Sequence, residues 1–99
     1  MYLVVFRNRK RADIDADAYA QDAARMEAMA TQRPGYLSFK SYVADDGEVV
    51  AISEWETRAA AKAWRAEAHH AEIQARGRAE YYESYTVITC DNPWTHSFP

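Results

Sequence analysis

Four residues in this 99-residue chain are of types that could do chemistry together: Trp64, Asn8 and the adjacent pair His69 and His70. An indole can wall a pocket with its face and donate one N–H. A carboxamide donates and accepts hydrogen bonds without carrying charge. An imidazole titrates near neutral pH and can take up a proton. Arg7 or Arg9 could hold an anion. Such a set suits a flat aromatic molecule that must lose a proton and be steadied as an anion. Each residue also has a plain structural reading. Trp64 sits on the apolar stripe of a helix, as a core residue would. Asn8 stands near a strand end, where local hydrogen bonding is common, and the Arg7–Arg11 cluster reads as a solvated loop beside helix-start aspartates. His69 and His70 do not read as a metal site. Adjacent helical residues point about 100° apart, and only Glu67 or Glu72 offers a third ligand nearby. Cys90 has no basic neighbour in sequence to activate it, so it reads as a small hydrophobe.

These residues need elements to position them. Tyr2–Phe6 is β-branched and aromatic, a strand that alternates into Arg7-Asn8-Arg9. Tyr2, Val4, Phe6 and Asn8 share one face; Leu3, Val5, Arg7 and Arg9 share the other. A helix follows. Asp13 or Asp15 caps it, Asp17 suits its dipole, and Tyr19, Ala23, Met26 and Ala30 recur at helical spacing. Pro34-Gly35 ends it near Arg33. Tyr36–Ala44 and Glu48–Glu56 read as strands joined by an Asp46-Gly47 turn. Thr57 caps a second helix carrying Ala60, Ala61, Trp64 and Ala68 along one side. That helix is read as far as Arg76, either as one bent helix or as two short ones, and Gly77 interrupts it. Tyr81–Cys90 is the last strand.

The order is β-α-β-β-α-β. It predicts an α+β, ferredoxin-like domain over residues 1–91, with a four-stranded antiparallel sheet and both helices on one face. Residues 92–99 form a tail. The other sheet face carries apolar and aromatic side chains, and a second copy packing sheet to sheet would cover it and remove edges. A homodimer is therefore expected. Trp94 and Phe98 are too apolar for a free tail and are expected to dock on the body or on the other subunit.

Composition narrows the class. The chain is 48% hydrophobic and 27% charged, and thirteen of its residues are aromatic (seven Tyr, three Trp, three Phe). That supports one soluble core with aromatics to spare for a cavity. A net charge of −3 argues against a nucleic-acid partner, which calls for a basic excess. No stretch approaches the roughly 18 apolar residues that span a bilayer, so no membrane partner is expected. The short apolar run before Arg7–Arg11 has the wrong order and size for a signal peptide. With one cysteine and no internal disulfide, a cytoplasmic location is expected.

On this framework several motifs resemble those of the antibiotic biosynthesis monooxygenase (ABM) domain family. They are Pro34-Gly35-Tyr36-Leu37-Ser38-Phe39, then Ser53-Glu54-Trp55-Glu56, then Ala63-Trp64-Arg65, His70, Gly77-Arg78 and Tyr81-Tyr82-Glu83 with Tyr85. The resemblance runs over roughly residues 2–90. It implies a dimeric α/β barrel with a pocket in each subunit between sheet and helices. It also implies activities that differ between branches. One branch oxidises phenolic polycyclic substrates with O2 and needs no metal or flavin, a relative oxidises quinols, another branch degrades haem, and some members have no assigned activity. By this resemblance His70 is the histidine to pair with Trp64 and Asn8 as a catalytic set. Phe6, Arg7, Tyr36, Phe39 and Tyr85 are the expected substrate-binding residues, the partners are a small aromatic substrate and O2, and no cofactor is expected. Two departures stand out. Gln74 occupies the place, ten residues after the tryptophan, where the haem-degrading branch has its axial histidine. Ala60 occupies the place, one turn before the tryptophan, where the anthrone-oxidising branch tends to carry a polar side chain. A non-catalytic small-molecule-binding or structural barrel is the alternative reading.

Overall fold

The computed structural model describes residues 1–75 and 81–99, and for residues 69–75 the backbone alone. Six elements follow one another: β1 (Tyr2–Lys10), α1 (Ala16–Thr31), β2 (Tyr36–Val43), β3 (Val49–Trp55), α2 (Arg58–Ala75) and β4 (Tyr82–Asp91). The sheet order is β2-β3-β1-β4, with every neighbour antiparallel. This is the ferredoxin-like α+β arrangement expected from the sequence.

Local chemistry accounts for the element ends. The Asp15 carboxylate accepts the Ala18 amide at 3.0 Å and caps α1, with Asp17 in the first turn. The Thr57 hydroxyl accepts the Ala60 amide at 3.1 Å and caps α2. That helix is continuous to Ala75, so the described stretch is one helix; Arg76 and Gly77 lie outside the described residues. Between β2 and β3, Gly47 has φ +89 and Asp46 accepts the Glu48 amide at 3.0 Å, which closes the hairpin. Arg9 reaches across from β1 and pairs with the Asp46 carboxylate at 2.7 Å. The Glu48 amide, and then Arg9, hold the Asp46 carboxyl below the usual carboxylate range.

Alternation along the central strand divides the sheet as expected. Tyr2 and Asn8 are buried on the helix side, where Tyr2 pairs with Trp55 and Val4 with Ser53. Leu3, Val5 and Arg7 point away, opposite Glu54, Ile52 and Val50 on β3 and Cys90, Ile88 and Thr86 on β4. The core under the helices is compact: Tyr2, Ala30, Trp55 and Ala61, with Val4, Tyr36, Ala60 and Trp64 packed against it. A bulge at Leu37 breaks the β2–β3 register and leaves Tyr36 opposite Trp55.

Two expectations need correction. Arg7, Arg9 and Lys10 belong to β1 rather than to a solvated loop, because pairing with β4 continues as far as Lys10. The tail does not dock on the body of its own chain. Trp94 and Phe98 are 87% and 93% exposed, and the Trp94 ring stacks only on His96. Asn92 donates to the Met1 carbonyl at 2.8 Å and takes φ 52, which turns the chain as it leaves the sheet.

Gly35 fixes how closely α2 approaches the sheet. It has φ +83, and a Cβ there would stand 2.6 Å from the Ala60 Cβ. Its carbonyl accepts the Glu56 amide at 2.8 Å. Gly35→Ala should therefore cost at least about 2 kcal/mol, from left-handed strain plus overlap. For a domain of this size that is a fall in Tm on the order of 10 °C. Thermal unfolding followed by circular dichroism checks this, and a change under about 2 °C would contradict the close approach.

Candidate functional site

Between the sheet and α2 lies a cavity of about 180 Å³. Its sheet side is built from alternate residues of three strands: Val4 and Phe6, Ala51, Ser53 and Trp55, and Tyr85 and Val87. Tyr36 and Phe39 close it from β2. The helix side is Ala61, Trp64, Arg65 and Ala68, residues at spacings of three and four that share one stripe of α2.

Trp55 and Trp64 set the shape of this space. Trp55 is 1% exposed, and its indole N–H donates to the Ser53 hydroxyl at 3.1 Å. Tyr36 meets it edge-on at 5.7 Å. Trp64 stacks over it with ring centroids 6.3 Å apart and planes 22° from parallel. Trp55 is thus held from two sides, and Trp64 presents its ring to the cavity. Among the described residues the Trp64 indole N–H has no protein partner. Beside the cavity, Phe6 touches Tyr82 edge-on at 5.6 Å and Tyr85 at 5.6 Å, and so links it to an aromatic cluster that includes Tyr19.

The expected site residues divide into three groups. Trp64, Phe6, Tyr36, Phe39 and Tyr85 come together around the cavity. Asn8 and Arg7 do not line it. Asn8 is 3% exposed on the helix side of β1, and its Oδ1 accepts the Lys10 ammonium at 2.5 Å. Lys10 in turn lies over the rings of Tyr19, at 4.6 Å, and Tyr82, at 5.6 Å. Arg7 points to the opposite face of the sheet, by strand alternation, and pairs with Glu48 at 3.2 Å. His70 lies in α2, but its side chain is outside the described residues, as are those of His69 and Gln74.

Sequence reasoning passed over three residues of the site: Ser53, Trp55 and Arg65. The period-two spacing of Ala51, Ser53 and Trp55 marks a shared strand face. The position of Arg65 four residues after Ala61 places it at the edge of the Trp64 stripe. Ala60, the departure from the anthrone-oxidising pattern, has a steric explanation. It backs onto Gly35 rather than lining the cavity, and a larger side chain would collide there. Among the described residues, no three of His, Cys, Asp and Glu are grouped to hold a metal ion.

A ferredoxin-like sheet with an aromatic cavity under its second helix defines the class of the protein, an α+β domain with a cavity between sheet and helix. The chain belongs to the antibiotic biosynthesis monooxygenase family, whose sequence pattern matches residues 1–76. It is 33% identical over 86 residues to the protein YqjZ of Bacillus subtilis (strain 168), a match covering 87% of this chain and 74% of that one. Its fold is similar to that of a crystallised antibiotic biosynthesis monooxygenase, with TM-score 0.75, 21% identity, and 94% and 99% of the two chains covered. It is also similar in fold to SnoaB of Streptomyces nogalater, a cofactor-independent oxygenase, with TM-score 0.73, 15% identity, and 95% and 94% covered.

The Ser53 hydroxyl is what satisfies the buried Trp55 indole. Ser53→Ala should leave that N–H orphaned and cost about 1–3 kcal/mol. Urea unfolding should show a lower midpoint with an unchanged slope. A midpoint equal to that of the parent protein would mean the bond contributes nothing.

Proposed function

We propose that this protein is a monooxygenase that oxidises a small phenolic or quinol-type aromatic with O2 and needs no cofactor. The observation that carries the reading is the aromatic cavity lined by Trp64, whose ring stacks on Trp55 and whose N–H has no partner among the described residues. Family membership and the likeness in fold to SnoaB support it. The cavity volume limits the substrate. About 180 Å³ is close to the roughly 150 Å³ of an apolar cavity that binds benzene. One or two fused rings fit, and a larger skeleton would have to extend out through the mouth.

In the proposed reaction the bound phenol first loses a proton to give a resonance-stabilised anion. That anion passes electrons to O2. One oxygen atom forms a bond to a ring carbon, which gives up its hydrogen and becomes a carbonyl; the other leaves as water with that hydrogen and the proton first taken from the phenol. Trp64 holds the ring by stacking and offers its N–H to the oxygen on which charge develops. The hydroxyls of Tyr36 and Tyr85 are further donors along the wall. Asn8 and His70 complete the proposed set. Asn8 does not line the cavity, so its part in the set is a positioning one: its carboxamide holds Lys10 over the Tyr19 and Tyr82 rings. His70 acts as the group that takes the proton.

Oxygen uptake by chelator-treated protein offered a panel of hydroquinones, naphthols and anthrones tests this. Uptake should survive the chelator and fall at least tenfold in Trp64→Phe, which keeps the aromatic wall and removes the N–H. Uptake no faster than the uncatalysed rate would favour the non-catalytic binding reading. We also propose that the working form is a homodimer in the cytoplasm. The apolar outer face of the sheet and the exposed Trp94 and Phe98 support the dimer. Light scattering should then return about twice the 11.3 kDa of one chain, and a monomer mass at micromolar concentration would sink that part of the proposal.

A further inference from the structure

Of the described arginines, Arg58 and Arg65 have no carboxylate pair, and of these two only Arg65 lines the cavity. Arg7, Arg9, Arg11, Arg25 and Arg33 each pair with a carboxylate, at 2.7 to 3.5 Å. Arg65 has no such pair among the described residues, although it lines the cavity beside Trp64. The sequence offers it none along the helix. Residues three and four positions away are Lys62, Ala61, Ala68 and His69, none of them acidic. Glu67 is committed to Arg33, at 2.8 Å. No aspartate or glutamate is among the described residues lining the cavity. Among the described residues, the positive charge at the mouth of this apolar cavity therefore has no carboxylate partner. Low-dielectric walls strengthen its field on whatever enters.

We propose that the cavity takes its ligand as an aromatic anion, with the ring against Trp64 and a carboxylate or ionised phenol oxygen on the Arg65 guanidinium. This rests on the reading of the cavity as a ligand site, but not on any reaction there. The geometry suits the chemistry. Trp64 and Arg65 are consecutive on one helix, so the ring-binding and charge-binding groups are fixed relative to each other. A planar guanidinium can engage a carboxylate through two parallel N–H donors, whereas a neutral hydroxyl can use only one. The aromatic part buries where the walls are carbon, and the charge stays at the mouth, where water still reaches it and desolvation costs least. Arg65 is thereby a specificity-determining residue, one that selects ionised ligands over neutral ones of the same shape.

The test is isothermal calorimetry with 2-naphthoate and with its neutral counterpart 2-naphthylmethanol, on the parent protein, Arg65→Gln and Arg65→Lys. The parent should bind naphthoate at least tenfold more tightly than the alcohol, with the advantage shrinking as salt rises. Arg65→Gln should erase that advantage and leave the Kd for the alcohol within twofold, which also reports an intact cavity. Arg65→Lys should keep part of it. Equal binding of the two in the parent, or an advantage that survives Arg65→Gln, would overturn the anion assignment alone. Failure of both compounds to bind at millimolar concentration would overturn the cavity as a site for small aromatics, and the anion assignment with it.

Discussion

The stacked indoles of Trp55 and Trp64 set where the second helix lies on the sheet. Trp55 belongs to a strand and Trp64 to a helix that begins three residues later, so the contact folds α2 back over the strand it has just left. The ring of Trp55 cannot swing to accommodate its partner. Ser53 anchors its N–H and Tyr36 blocks its edge, so the helix must meet the sheet where Trp55 already lies. At the other end of the same interface, Gly35 lets the first turn of α2 come within contact of the β2 strand start. Beyond these two contacts, small alanine side chains line the space between helix and sheet and leave the cavity open.

Electrostatics divides along the same boundary. On the outer side and at the hairpin, charges are settled locally: Arg7 with Glu48, Arg9 with Asp46, and Arg11 with Asp13. These pairs are largely exposed and add little to stability. Their effect is to tie the β2–β3 turn and the start of α1 to the central strand. On the helix side, charge is almost absent from the cavity walls. Lys10, a further cation on that side, is held by Asn8 and two tyrosine rings, and Arg33 by Glu67. Arg65 is left as the charge the interior can offer outward.

Much of the architecture was legible because it depends on neighbours in sequence. Asp15, Thr57 and Asp46-Gly47 each act on amides two or three residues away, so their roles can be read without knowing the fold. Trp64 stood out for the same reason, as a large side chain on an alanine stripe. What could not be read were choices made between distant partners. Asn8 lies on the expected face of β1, but the bulge between Arg9 and Lys10 lets Lys10 reach back to Asn8, and nothing local announces that. Arg7 was a plausible anion holder until the hairpin brought Glu48 beside it. Arg65 stood in the sequence only as part of the Ala63-Trp64-Arg65 motif, because its lack of a carboxylate partner among the described residues shows only in the folded chain. The tail aromatics followed a sound rule about apolar termini, but on this chain the turn at Asn92 carries them away from the body.

The lining of the cavity is unusual in how many of its members are alanine: Ala30, Ala51, Ala61 and Ala68, two of them on α2 and one each on α1 and β3. All four sit on regular elements whose backbones are fixed by hydrogen bonds that do not involve the side chain. Replacing Ala51 or Ala68 with valine or serine would change the volume or polarity of one corner of the space, whereas Ala30 and Ala61 also belong to the packed core, where added bulk displaces neighbours. The aromatic members cannot be exchanged so freely, since they hold the walls apart. The site therefore combines a rigid frame with adjustable corners at Ala51 and Ala68. In a fold built this way, single substitutions at these corners can retune the shape of the space while the aromatic frame stays in place.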